Sequence, residues 1–186
     1  MFLTSLRARL LRPLQIFGVV IAGLVVQACG TSEAQPPTAP TVAEVIDGDT
    51  IVIDFDGNLE TVRLLGIDTP ETVDPNRPVQ CFGQEASDYL AELISPGTEL
   101  RVERDQQARD RFGRLLVYVF RASDNAFINL ELLRHGYADL AIYAPNDSYR
   151  PLLEHGEASA KTAQAGLWEA CGGPDVALDP PPVAVD

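Results

Sequence analysis

Ile51, Ile53 and Phe55 alternate with Val52, Asp54 and Asp56, and the run stops at Asp56-Gly57-Asn58 before the chain resumes from Leu59 to Gly66. Period-two alternation marks a strand with one buried face, and Asp-Gly-Asn is a tight-turn sequence. An antiparallel hairpin is therefore prescribed early, and Val42 to Gly66 reads as three short strands. A Pro-rich loop, Asp68 to Gln80, comes next, and then the period changes. Ala86, Tyr89, Leu90, Leu93 and Ile94 recur at helical spacing between Gln84 and Ser95, and Pro96-Gly97 stops the helix. Thr98–Asp105 and Arg114–Phe120 are two further strands separated by a polar loop, Gln106 to Gly113. The second is apolar on both faces, which predicts a central position. Helices near Ile128–His135 and Tyr149–Gln164 close the chain. The order βββ-α-ββ-α-α predicts an α+β domain, a five-stranded OB-fold Greek-key β-barrel with three packed helices.

The ends of the chain have another character. Arg7, Arg9 and Arg12 form a basic head, and Leu14 to Val26 is an apolar run interrupted by Gln15. That run is shorter than the roughly 20 residues of a membrane-spanning helix, so residues 1–28 read as a signal peptide. Val26-Gln27-Ala28-Cys29 is similar to a lipobox and predicts lipidation at Cys29, with an ordinary secretory peptide cut after Ala28 as the alternative. Localisation to the cell envelope as a lipoprotein follows, with secretion as the other outcome. The membrane is then met only through this anchor. Residues 29–41 read as the lipidated cysteine and a flexible linker, 42–171 as the folded domain, and 172–186, rich in Pro and Asp, as a disordered tail. Apart from Cys29, the chain holds Cys81 and Cys171. In an oxidising compartment these predict one disulfide, against the alternative of two free buried thiols.

The formal net charge is −13, Lys161 is the sole lysine, and the signal segment holds three of the arginines and no acid. This balance opposes tight, non-specific polyanion binding, which draws on many lysines and arginines. It is less opposed to a protein that grips one phosphate locally through a metal and a few arginines.

Two clusters can carry such chemistry. The first is Asp47-Gly48-Asp49-Thr50 with Arg63-Leu64-Leu65-Gly66-Ile67-Asp68-Thr69-Pro70-Glu71. Asp49 begins one strand and Asp68 follows the end of the strand paired with it, so the two carboxylates can converge. Oxygen ligands with nothing soft nearby suit calcium or magnesium, and Glu71 lies within reach of a metal-bound water. Taken singly, each motif reads as a turn or a loop start. The second cluster is Asp110-Arg111-Phe112-Gly113-Arg114. Arg63 and Arg114 stand on otherwise aliphatic strands, where a guanidinium fork can take phosphate oxygens bidentately or pair with one of the many acids.

Jointly, and in this order, these motifs resemble the thermonuclease family, the staphylococcal nuclease homologues. The resemblance spans Val42 to Trp168 and includes Gly83 to Ala86, the Asn129 to Gly136 helix with Tyr137-Ala138, and Gly166-Leu167-Trp168. It implies a calcium-dependent endonuclease that hydrolyses DNA and RNA to 3′-phosphate products. It further implies one calcium ion on Asp49, Asp68 and the Thr69 carbonyl, and Glu71 positioning or deprotonating the attacking water. Arg63 and Arg114 would bind the scissile phosphate and stabilise its developing charge. Arg111 and Tyr143 are additional substrate-binding candidates, with Tyr149 a second possible stacking ring. Two departures stand out: Phe112 occupies a place where the family often has tyrosine, and the acidity is unusual for it. His135 and His155 read as surface or packing residues, Trp168 as a packing anchor, and a monomer is expected. A non-catalytic OB module and an exported acidic calcium-binding protein are the competing readings. The first is disfavoured because Asp49, Arg63, Asp68, Glu71 and Arg114 are all present. The second leaves the two strand arginines unexplained.

Overall fold

The computed structural model describes residues 38–72 and 78–178. The signal segment, the lipidation site Cys29 and nearly all of the linker lie outside them, as do 73–77 within the Pro-rich loop and 179–186 of the tail. Among the described residues no helix is long and apolar enough to cross a membrane.

Three strands form first in the chain, β1 (Thr41–Val45), β2 (Thr50–Phe55) and β3 (Asn58–Leu64). The turn at Asp56-Gly57 sets the β2–β3 register, with Phe55 opposite Asn58 and Thr50 opposite Arg63. Both central turn residues have positive φ, the geometry that matches the strands' twist. Alternation then buries Ile51, Ile53, Val62 and Leu64 on one face. Past Leu64 the ladder breaks. Gly66–Asp68 forms β4, which leaves the main sheet and pairs with a late strand, β7 (Asp139–Ala141). Buried Asn129 supports this break: its amide donates to the Leu65 carbonyl at 2.8 Å and accepts from Val119 N–H at 2.9 Å.

Helix α1 (Gly83–Leu93) follows, then β5 (Leu100–Arg109) and β6 (Leu115–Arg121). The expected loop from Gln106 is strand as far as Arg109, with an irregular register between Arg104 and Arg109. Helices α2 (Ile128–Arg134), α3 (Arg150–Ala163) and a short α4 (Leu167–Ala170) complete the chain. The main sheet is mixed, in the order β1-β2-β3-β6-β5. Its parallel pair, β3 with β6, places β6 inside the sheet, in keeping with its two apolar faces.

The expectation of a barrel needs correction. β1 meets the residue just ahead of β5 at the isolated bridge Thr41 to Glu99, with no continuous ladder among the described residues, so the sheet does not close. A two-stranded second sheet and the short α4 are also additions to the five strands and three helices expected. The core lies between the concave sheet and the helices, where Ile51, Val117, Leu90, Leu132 and Leu133 are fully buried. A disulfide joins Cys81 to Cys171. Beyond it the chain stays engaged to Leu178, whose N–H donates to the Val79 carbonyl at 2.9 Å, so described structure reaches seven residues into the segment read as a tail.

Candidate active site

One cleft of about 760 Å³ opens beside the β2–β3 end of the sheet. Asp49, Arg63, Asp68, Thr69, Glu71, Arg111, Arg114 and Tyr143, drawn from segments up to 94 positions apart, all line it. Local geometry explains how they arrive. Asp47 Oδ1 accepts from Asp49 N–H at 3.0 Å, and Ile46 and Asp47 N–H both donate to the Thr50 carbonyl. The resulting turn delivers Asp49 to the head of β2. Gly48 makes the turn possible: a Cβ there would lie 2.7 Å from Thr69 Oγ1, so a larger residue would push the two segments apart.

Asp49 is 5% exposed and richly hydrogen-bonded. Its Oδ2 accepts from Thr69 N–H at 2.9 Å and Thr69 Oγ1 at 3.0 Å, and its Oδ1 accepts from Thr50 Oγ1 at 3.0 Å. Arg63 Nη2 reaches Asp49 Oδ2 at 3.0 Å and also pairs with Asp68 Oδ1. Its Nη1 donates to the carbonyls of Leu64 at 3.0 Å and Ile67 at 2.9 Å. Arg63 is thus the cation between the two carboxylates here, and it splints the break between β3 and β4. Asp68 sits at the end of β4, one strand later than expected, facing Asp139 across the β4–β7 pair.

Negative charge accumulates around this point. Burial, then the neighbouring Asp49 charge, push the Asp47 carboxyl up to about 6. Asp139 is pushed up to about 7 by burial, with Asp68, Asp175 and Glu157 adding repulsion. Two carboxylates face one guanidinium, surrounded by oxygen and with no nitrogen or sulfur donor among the expected ligands. That chemistry fits a hard divalent cation. Among the described residues no cluster of three or more His, Cys, Asp or Glu side chains is arranged around a common metal position. The expected donors are instead two carboxylates and a carbonyl.

Arg114 enters from another direction. Asp110 caps its own turn, accepting from the N–H groups of Phe112 and Arg114 at 2.9 Å each, and its Oδ2 takes Arg114 Nε at 2.7 Å. No described residue takes a hydrogen bond from the two Nη groups. Burial opposes the Asp110 charge, but these donors, with Arg114 foremost, outweigh it and hold the carboxyl below its ordinary value. Arg111 and Arg114 lie 4.6 and 5.5 Å from the Phe112 ring centroid. Phe112 and Tyr143 are 68% and 71% exposed at the cleft. Tyr149 is elsewhere, 4.7 Å from the Tyr118 ring and donating to Glu103 Oε2 at 2.6 Å. It is a packing residue.

Sequence reasoning missed Gln107 and Asn146, and it placed Asp110 in the second cluster without assigning its brace on Arg114. Asn146 is buried and pairs through its amide with both backbone groups of Gln107, at 2.8 and 3.0 Å, which ties the Tyr143 loop to β5. Asp110 had a visible signal, the Asp-x-x-Gly-Arg turn; Asn146 in a polar loop had none.

A mixed sheet that brings carboxylates and arginines together in one open cleft has the side chains to meet an anionic oxygen ligand beside a cation. Comparison with known proteins narrows this to one family. The model of the family described as Staphylococcal nuclease homologue matches residues 61–170. The chain is 44% identical over 128 residues to a thermonuclease of Staphylococcus intermedius, covering 69% of this chain and 74% of that one. It is 38% identical over 142 residues to a thermonuclease of Staphylococcus hyicus, covering 76% and 82%. Endonuclease YncB of Bacillus subtilis is 40% identical over 134 residues, covering 71% and 62%. The chain belongs to the staphylococcal nuclease homologue family.

Proposed function

We propose that this protein is a calcium-dependent endonuclease that hydrolyses phosphodiester bonds of DNA and RNA and leaves 3′-phosphate ends. The observation that carries the reading is the convergence of Asp49, Asp68, Thr69 and Glu71 with Arg63 and Arg114 on one cleft. Family membership and relatives named as thermonuclease and endonuclease support it.

Asp49, Asp68 and the Thr69 carbonyl would hold the calcium ion, which supplies fixed positive charge against a phosphate oxygen. Arg114, braced at Nε by Asp110, offers its Nη edge to the equatorial oxygens, where charge grows as the bond to water forms. Donors fixed in advance are worth more there than solvent, which must reorganise. Arg63, which pairs with Asp49 and Asp68 in this structure, would serve the same phosphate from the β3 side. Glu71 orients the water and takes its proton, and the bond to the 5′ oxygen breaks, that oxygen leaving with the bonding pair and taking a proton from solvent water. Phe112 and Tyr143 flank the cleft as stacking surfaces for bases, a contact tolerant of sequence.

The test is cleavage of plasmid and single-stranded DNA by the purified chain, with calcium and then with EGTA, beside Glu71→Gln and Arg114→Ala. Loss of the charge-stabilising arginine should lower kcat on the order of 10²–10³-fold, and loss of the base on the order of 10²–10⁴-fold. Folded wild-type protein that cleaves nothing at any calcium level would instead mark a non-catalytic module of the same fold.

A further inference from the structure

Gln80 is 8% exposed, polar, and unused by the chemistry above. Its side-chain Oε1 accepts from Glu71 N–H at 2.6 Å, and its own N–H donates to the Glu71 carbonyl at 2.8 Å. One residue therefore holds both backbone groups of Glu71 across the Pro-rich loop. The Glu71 carboxylate is shaped from the same point, with Oε1 accepting from Thr72 N–H at 2.9 Å. On its far side Gln80 Nε2 donates to Asp175 Oδ1 at 3.0 Å. Around that contact the C-terminal segment lies antiparallel to Val79–Cys81. Cys81 N–H donates to the Val176 carbonyl at 2.7 Å and Leu178 N–H to the Val79 carbonyl at 2.9 Å, with Gln80 bridged to Ala177. The Cys81–Cys171 disulfide ties the start of this strap to the same spot.

We propose that Gln80 is a positioning residue for Glu71, and that the disulfide-tethered strap Gly172–Leu178 holds Gln80 in place. This rests on the nuclease reading for what Glu71 does, but not for where it is held. A loop closed by a side-chain amide keeps its carboxylate aimed only while that amide is itself fixed, and a loss of aim of about 1 Å can cost on the order of 100-fold in rate. Gln80 supplies the first constraint, and Asp175 with the disulfide supplies the second.

The experiment compares kcat and KM on DNA, together with amide hydrogen exchange at Glu71 and Thr69. The variants are Gln80→Met, the pair Gln80→Glu/Asp175→Asn, and the pair Cys81→Ser/Cys171→Ser. Gln80→Met should lower kcat roughly 10- to 100-fold with KM within about twofold. Exchange at the Glu71 amide should speed up roughly tenfold or more, while the Thr69 amide, held by Asp49, keeps its protection. The Gln80→Glu/Asp175→Asn pair keeps the acceptor facing Glu71 and reverses the polarity of the link to the strap, so most of kcat should return. The serine pair should shift kcat and Glu71 exchange in the same direction as Gln80→Met. Unchanged Glu71 exchange in Gln80→Met overturns the proposal. Exchange that rises equally at Thr69, with KM rising too, reduces Gln80 to a structural role and overturns it as well. A serine pair indistinguishable from wild type removes the strap from it. Should the wild type cleave no nucleic acid, the nuclease reading fails, and the Glu71 exchange in Gln80→Met still decides where that residue is held.

Discussion

Asn129 is a polar side chain with no exposed surface, and it survives there because its amide serves two backbone groups, one in β6 and one at the break between β3 and β4. Replacement by leucine leaves the Val119 N–H and the Leu65 carbonyl without this partner in a dry core. An unsatisfied buried polar group costs about 1–3 kcal/mol, so Asn129→Leu should lower urea stability by roughly 2–6 kcal/mol, counting both groups. A loss under about 0.5 kcal/mol, the range of an ordinary surface change, would mean that the break after Leu64 needs no such brace. Gly48 is constrained differently, by space. Gly48→Ala would set a methyl 2.7 Å from Thr69 Oγ1 and move Thr69 away from Asp49. We expect it to weaken nucleic-acid cleavage by at least about tenfold, since small misplacements at a site are amplified in rate. Full activity in Gly48→Ala would show that the Asp49–Thr69 contact is dispensable.

At the scale of elements, the connection between β5 and the segment leading into α3 depends on Asp105. Its carboxylate accepts from the Tyr118 hydroxyl, Ser148 N–H and Ser148 Oγ, each at 3.0 Å. Burial works against the charge, but the hydrogen bonds, led by those from Ser148, prevail and lower its pKa below the usual 3.8. A carboxyl lowered in the folded state adds stability above its unfolded value, and that stability is lost as pH falls through the lowered one. The difference in Tm between wild type and Asp105→Asn should therefore be full at pH 6 and shrink as the pH is taken below 3.8. A difference that stays constant into acid would show that packing by Tyr149, not the Asp105 charge, holds this connection.

The molecule as a whole is closed by one covalent tie. The Cys81–Cys171 bond spans 90 positions and links the start of α1 to the end of α4. Cross-linking a loop of that length restricts the unfolded chain, so reduction should cost about 2–4 kcal/mol, and intact mass should rise by about two daltons. No mass change would show that the bridge is absent from the purified protein. Charge acts at the same scale. With a net −13 and Arg63, Arg111 and Arg114 the described arginines that line the cleft, we expect substrate contact to be local, with few counterions released on binding. Cleavage should fall only gently with added monovalent salt, and a steep fall would point to a broader basic surface.

Strand alternation, the Asp-Gly-Asn turn and the helical spacing of Ala86, Leu90 and Ile94 are local patterns, and they were enough for the order of the five main strands and three longer helices and for the antiparallel hairpin, but not for β4, β7 and α4. The acids and arginines of the cleft were also legible, because charged residues on aliphatic strands demand partners. Three things waited for the tertiary structure. The curled sheet stops short of a barrel because β1 meets only an isolated bridge at Glu99, just ahead of β5, a matter of strand twist and length that no residue announces. Arg63 lies against both Asp49 and Asp68 because the chain breaks at Leu65, and that break depends on Asn129 from a helix 64 positions away. The tail's engagement with Gln80 was hidden because Gly172–Leu178 has no period of its own and is ordered by backbone partners that Val79 and Cys81 supply. Sequence alone determined which groups could do chemistry here. Long-range contact decided how they are held, since buried backbone groups must find partners wherever the fold provides them.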